Sequence, residues 1–392
     1  MAATELIPLS TPDIQEEDIL EVSEVLRSGR LTLGPKCEEF ERLVATRAGR
    51  PHAVAVSSSA QALRIALEAL GIGPGAEVIV PAFTFVSAVN AVILSGATPV
   101  FVDCQPRSLN MCAKAAEAAI TERTRCLMGV PVFGNPTGMN ELASLCTRHE
   151  IPMLEDASGG LGTTLGRDAL GRFGRVAVFS FYPNKVVTTG EGAMIVTHDD
   201  RVAALCRSLR NQGRPLEEGL RHVHIPGLGS FLDHERLGWS ARMSEINAAL
   251  GVSQMRRLSD TIRLRQMVAD GYFRRLGGSA DLILPTIAPE SFMSWPLYVV
   301  RLSNRFSQME RDEIIAGLRR HDIGACNYYP PVHLLPHVQR LRGHRPGDFP
   351  IAESVSERTI ALPFFTRMTS HQQDVVCQAL DLMIRRLTTV RS

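Results

Sequence analysis

Lysine is nearly absent from this chain. Of 42 basic residues only Lys36, Lys114 and Lys185 are lysines, so arginine supplies almost every surface cation. Guanidinium and ammonium differ: only the amine deprotonates readily enough to act as a nucleophile or base. Each retained lysine is therefore a candidate for chemistry that arginine cannot do. Charge of one sign is also lacking. The net charge is +1 and no basic run occurs, which excludes tracking of a nucleic-acid backbone. No stretch approaches the ~20 uncharged apolar residues of a membrane span. The first residues, MAATELIPLSTPDIQEED, lack the basic-then-apolar layout of a signal peptide.

Other signatures are missing as well. The eight cysteines at 37, 104, 112, 126, 146, 206, 326 and 377 form no C-x-x-C pair. In a chain this long such spacing predicts reduced, buried thiols and a cytoplasmic protein. No glycine-rich dinucleotide fingerprint follows the first strand, and Ser57–Ser59 stand outside any G-x-S-x-G elbow. His198, His222 and His224 lack partners at metal-ligand spacing and read as surface or packing histidines, so no metal site is expected.

What is present is an ordinary globular composition, 45% apolar and 21% charged over 392 residues, a length that suggests about two to three domain-sized units. Between about residues 50 and 200, β-branched runs alternate with helical stretches. The runs are AVAV (53–56), VIV (78–80), VFV (100–102), CLMGVPVF (126–133), PMLE (152–155), VAVFSF (176–181) and AMIVT (193–197). The intervening AQALRIALEAL, SAVNAVIL, AKAAEAAI and NELASLCTRHE predict a mainly parallel sheet of seven strands covered on both faces. After residue 243, SEINAALGVSQMRRLSDTIRLRQMVADGYFRRL reads as one or two long helices, with Leu258, Ile262, Ala269, Tyr272 and Leu276 sharing a face. A strand (297–302), a helix (RDEIIAGLRR), a Pro/Tyr/His loop and a final helix then form a smaller α+β unit. The expected division is a large α/β domain with an N-terminal arm over 1–255 and a small C-terminal domain over 256–392.

Three constellations carry chemistry. In HAVAVSSSAQALRIALEAL a strand ends in serines and a helix begins at once. Free N–H groups and hydroxyls there suit a phosphate, or the serines simply cap the helix. In IPMLEDASGGLGTTL a buried strand delivers Asp156 at its C-terminal end, where open α/β sheets place ligands. That carboxylate could pair with a cationic ring nitrogen, cap a helix or bind a metal. In FGRVAVFSFYPNKVVTTGEGAMIVT, two apolar strands flank a loop holding Lys185, the only lysine from 115 to the end at 392. Pro183 stiffens the approach, and Gly190 and Gly192 let the backbone turn tightly beside a bound group. A Schiff-base lysine needs a partly desolvated amine, and a loop between core strands provides that environment.

SFYPNKVVTTGEGAMIVT, with EDASGGLG before it and RSLRNQGR after it, resembles the DegT/DnrJ/EryC1/StrS aminotransferases. The resemblance begins at LRSGRLTLGPKCEEFE and continues through ALGIGPGAEVIVPAFTFVSAVNAVILSGATPVFVD, HERLGWSARMSEINAALGVSQM, YYPPVHLLP and ALPFF. It implies the aspartate-aminotransferase fold (PLP fold type I) and pyridoxal 5'-phosphate (PLP) as cofactor. It also implies transfer of an amino group from an amino acid, Glu or Gln by analogy, to a keto-sugar, often nucleotide-linked, or a cyclitol-like ketone.

Carried over by position, Lys185 would hold the cofactor as a Schiff base and Asp156 would pair with the pyridine nitrogen. Ser180 would bind its phosphate with the Ser59–Ala60 turn, and Phe85 would lie over its ring. His333 and Tyr329 would reach the substrate. The resemblance further implies a homodimer with shared active sites, in which Ser240, in GWSARMSE, serves the neighbour's phosphate. The departures are Ala60 for a hydroxyl residue, Gly159 for a common Gln or Glu, Ser240 for an asparagine and Tyr182 for a histidine. Relatives that dehydrate deoxysugars carry histidine in place of the lysine, which Lys185 argues against. The thinned phosphate site leaves two competing readings open: a PLP-binding relative with a regulatory or partner role, and a PLP enzyme acting on a non-sugar substrate.

Overall fold

Side chains two apart on a strand share a face, and a central strand buries both of its faces. The computed structural model describes residues 6–214 and 234–390; His222 and His224 lie outside them. Its first nine strands are β1 (His52–Val56), β2 (Glu77–Pro81), β3 (Thr98–Val102), β4 (Thr124–Gly129), β5 (Met153–Asp156), β6 (Thr164–Leu165), β7 (Asp168–Ala169), β8 (Val176–Ser180) and β9 (Ala193–Thr197). Seven of these build one sheet in the order β1-β9-β8-β5-β4-β2-β3. All neighbours pair in parallel except β9, which runs antiparallel to both β1 and β8.

Alternation along the strands divides the core into two layers. Val54, Val78, Met128 and Val178 join one buried cluster, while Ala55, Ile79, Leu127 and Ala177 join the other. Helices such as Ser59–Ala69 and Val86–Leu94 cover the first layer, and Pro35–Ala48 and Met139–Arg148 the second. All seven expected runs are strands, with one correction. The run 126–133 ends as a strand at Gly129, because Pro131 has no N–H to donate and Phe133 takes a positive φ of 56°. A 3₁₀ turn at Val132–Gly134 follows, with Val132 N donating to Asn110 Oδ1 at 2.7 Å.

The two long helices are Glu245–Arg256 and Leu258–Leu276. The apolar face of the second is shared: Leu258 and Ile262 enter the large core, whereas Ala269, Tyr272 and Leu276 enter a third cluster. That cluster packs around β10 (Leu282–Ile283), β12 (Tyr298–Leu302) and β13 (Thr359–Leu362), a separate antiparallel sheet, with the helices Gln308–Arg320 and Ser370–Val390. The short β11 (Ser291–Phe292) pairs instead with β6, tying this second half to the segment that follows β5. Among the described residues no helix is long and apolar enough to cross a membrane.

Candidate active site

Parallel strands end on one edge of the sheet, and there Asp156 closes β5 while Ser180 closes its neighbour β8. The loop from 181 to 192 returns the chain into β9 and carries Lys185. Phe181 N donates to Gly192 O at 2.9 Å, Thr189 N to Phe181 O at 2.9 Å, and Lys185 N to Tyr182 O at 2.9 Å. Gly190 turns at φ 75°, a conformation costly for any residue with a Cβ. Asn247 Nδ2, on the following long helix, ties down Thr189 O.

These elements enclose a cavity of about 440 Å³. Lys185, Asp156, Ser59, Phe85, Ser180 and Tyr329 all line it. Ser59 opens the helix Ser59–Ala69, whose N-cap Ser58 accepts from Gln61 N through its side chain at 3.4 Å. First-turn N–H groups without helical partners at such an end favour an anion. Phe85 remains 56% exposed, with its ring centroid 5.7 Å from that of Tyr329, which also meets Phe133 at 5.4 Å.

Three further expected residues, Ala60, Ser240 (expected at the neighbour's phosphate) and His333, do not line this chain's own cavity. Ala60 is exposed and outside the cavity lining. Ser240 is exposed and bridges to Asn211. His333 is fully buried, with Nε2 3.0 Å from Glu353 Oε1. His198 lies on the surface, its Nδ1 2.7 Å from Arg50 Nη1. Among the described residues no three His, Cys, Asp or Glu side chains stand together as metal ligands.

The electrostatics favour an amine that gives up its proton. Burial pushes the Lys185 ammonium below its ordinary value, and nearby Asp156 only partly opposes this. Burial raises the Asp156 carboxyl, while hydrogen bonds from Ser158 and the charge of Lys185 pull it back down. Its Oδ1 accepts from Ser158 Oγ and, at 3.3 Å, from Ser158 N. A desolvated carboxylate facing a cavity can pair with a cationic ring, and a lysine of lowered pKa can condense with an aldehyde.

Sequence reasoning missed several residues of the lining. Ser158 and Asn184 stand next to the expected motifs, and their proximity to Asp156 and Lys185 was the available signal. Gly134, Pro296 and Leu297 come from distant segments, and nothing local marks them.

A family model described as the DegT/DnrJ/EryC1/StrS aminotransferase family matches residues 12–381. The chain is 36% identical over 375 residues to the spore coat polysaccharide biosynthesis protein SpsC of Bacillus subtilis, covering 95% of this chain and 96% of that one. It is 35% identical to GDP-perosamine synthase of Caulobacter vibrioides, covering 88% and 89%. The PLP form of the sugar aminotransferase Spr1654 from Streptococcus pneumoniae, so described with the qualifier putative, superposes with a TM-score of 0.90 at 28% identity, covering 97% and 99%.

Proposed function

The chain belongs to the DegT/DnrJ/EryC1/StrS aminotransferase family and is a PLP-dependent aminotransferase; from that premise we propose that it aminates a keto-sugar, often nucleotide-linked, or a cyclitol-like ketone, in a biosynthetic pathway. The carrying observation is that Lys185 and Asp156 line one cavity at the ends of neighbouring strands, with Ser59 and Ser180 in the same lining. The names of SpsC and GDP-perosamine synthase support a sugar as the acceptor.

The residues fit the cofactor. Asp156 is a buried carboxylate that none of its hydrogen bonds joins to a cation, and Lys185 is a desolvated amine. Lys185 would hold PLP, Asp156 would pair with the pyridine nitrogen, Ser59 and Ser180 would take the phosphate, and Phe85 would cover the ring. Bound there, PLP supplies an aldehyde that condenses with amines and a cationic ring that accepts the electron pair released at an amino acid's Cα.

Lys185 Nζ, its pKa lowered by burial, takes the Cα proton of the amino donor, glutamate or glutamine in this reading. Asp156 keeps negative charge on the sheet side of the cavity. Phe133 and Tyr329, in ring contact, give the cavity an apolar wall. A purely regulatory role as a PLP-binding relative is suggested by the thinned phosphate site; against it, Ser59, Ser180, Lys185 and Asp156 all line the cavity.

Two copies would share active sites, with Ser240 of each serving the other's cavity; its exposure outside its own cavity fits that role. All eight cysteines are free, which fits a cytoplasmic enzyme. The division at 255/256 into a large and a small domain is part of the same proposal, supported by the third cluster, which is built almost wholly from residues after 267, although Leu258, Ile262, Val332, Val338, Ala352 and Val355 join the cores of the large sheet.

Lys185→Ala should slow amino exchange between glutamate and a keto-sugar by about 10²–10⁴-fold. Exchange at the parent rate would sink the assignment of Lys185. In a panel of acceptors offered to the aminated enzyme, turnover of simple 2-keto acids with none of any keto-sugar would overturn the substrate class.

A further inference from the structure

Two features of Asp156 go beyond its pairing with a ring nitrogen. Both of its hydrogen-bond donors come from one residue, and both fall on one oxygen. Ser158 Oγ and Ser158 N each donate to Oδ1, and Oδ2 has no hydrogen bond to a side chain or to the backbone among the described residues. Asp156 is buried and Ser158 half-buried, and both line the cavity. The χ2 torsion of an aspartate is broad and roughly two-fold, so burial alone does not decide which oxygen faces the cavity. Two donors on Oδ1 do decide it, and they leave the lone pairs of Oδ2 to whatever the cavity holds.

We propose that Ser158 is a positioning residue, which fixes the carboxylate of Asp156 so that Oδ2 is presented to the pyridinium nitrogen of the cofactor. This rests on the reading of Asp156 given above. The Ser158 hydroxyl acts in two ways. It selects the rotamer, and as a charge-assisted donor it keeps the buried carboxylate anionic, opposing the desolvation that favours its neutral form. The backbone N–H at 3.3 Å remains in any substitution, so the hydroxyl is the separable part.

The test compares equilibrium binding of PLP with that of 1-deaza-PLP, in which carbon replaces the ring nitrogen, to the full-length apoenzyme by absorbance and fluorescence titration. The ratio of the two affinities isolates the nitrogen contact from the aldehyde and phosphate contacts. Ser158→Ala should lower the preference for PLP by about tenfold, the size of a lost hydrogen bond to a charged group. Ser158→Cys, similar in size but a weak donor, should do the same and serves if the alanine variant does not fold. Ser158→Thr, which restores the hydroxyl, should recover the preference. Asp156→Ala is measured alongside. If it abolishes the preference while Ser158→Ala and Ser158→Cys leave the ratio at the parent value, or lower both affinities equally, the role of Ser158 is overturned and that of Asp156 stands. If Asp156→Ala itself leaves the ratio unchanged, the reading of Asp156 fails and the positioning role falls with it.

Discussion

Gly159 and Pro296 meet across the cavity wall: a Cβ on residue 159 would stand 3.1 Å from Pro296 Cγ and 3.3 Å from its Cβ. Gly134 lies against the same ring, where a Cβ would come within 2.9 Å of Pro296 Cδ. The Gln or Glu common at position 159 in similar chains would require this proline to give by a few tenths of an ångström. Gly159→Gln is expected to overpack the wall and destabilise the fold by about 1–3 kcal/mol. Thermal unfolding checks this, with Gly159→Ala falling between the variant and the parent. A Tm equal to the parent's in Gly159→Gln would mean that the side chain finds space in the cavity instead.

Glu155, next to Asp156 but in contact with other elements, accepts from Gly171 N at 2.6 Å, Phe173 N at 3.2 Å and Gly174 N at 3.3 Å. Burial still outweighs these bonds and the charge of Arg50, raising its carboxyl from 4.5 to about 7. The folded state thus holds this proton more tightly than the unfolded one. The stability it contributes is full below pH 4.5 and is lost as pH rises through about 7. Glu155→Gln, which cannot ionise, should flatten this dependence by about 3 kcal/mol between pH 5 and 8, read from urea unfolding across that range. An identical slope in parent and variant would disprove it.

His333 donates through Nε2 to Glu353, which also accepts from Gly347 N and Phe349 N. Buried away from the cavity, it anchors the stretch that brings Tyr329 to the lining. His333→Ala should cost about 3 kcal/mol of stability through the hole it leaves, while KM for the acceptor stays at the parent value. Burial lowers the imidazole pKa from 6.5, so the neutral ring's contribution is full above pH 6.5 and declines as pH falls through the lower folded value. A raised KM at unchanged Tm would place the ring against the acceptor instead.

Much of the large sheet was legible because its evidence is local. Strands buried on both faces must be apolar throughout, and the runs at 53–56, 78–80, 100–102 and 193–197 are strands for that reason. Lys185 stood out because almost every other cation is arginine, and Asp156 because it ends an apolar strand. The overrun at 130–133 arose because Val130 and Val132 look like strand residues, while Pro131 and the positive φ of Phe133 stop the ladder.

The sequence by itself determined which residues could do imine chemistry and which segments had to be buried, since amine reactivity and apolar periodicity are properties of a short stretch. Only the tertiary structure decided what surrounds them. Ser158 rather than a cation bonds to Asp156, Pro296 fills the space beside Gly159, and His333 turns away from the cavity to Glu353. The Ser158 bond spans only two residues, within one turn. The other two are contacts chosen by packing between segments, 20 residues apart for His333 and Glu353 and 137 for Gly159 and Pro296, and a side chain's neighbours across the fold leave no mark in the residues beside it.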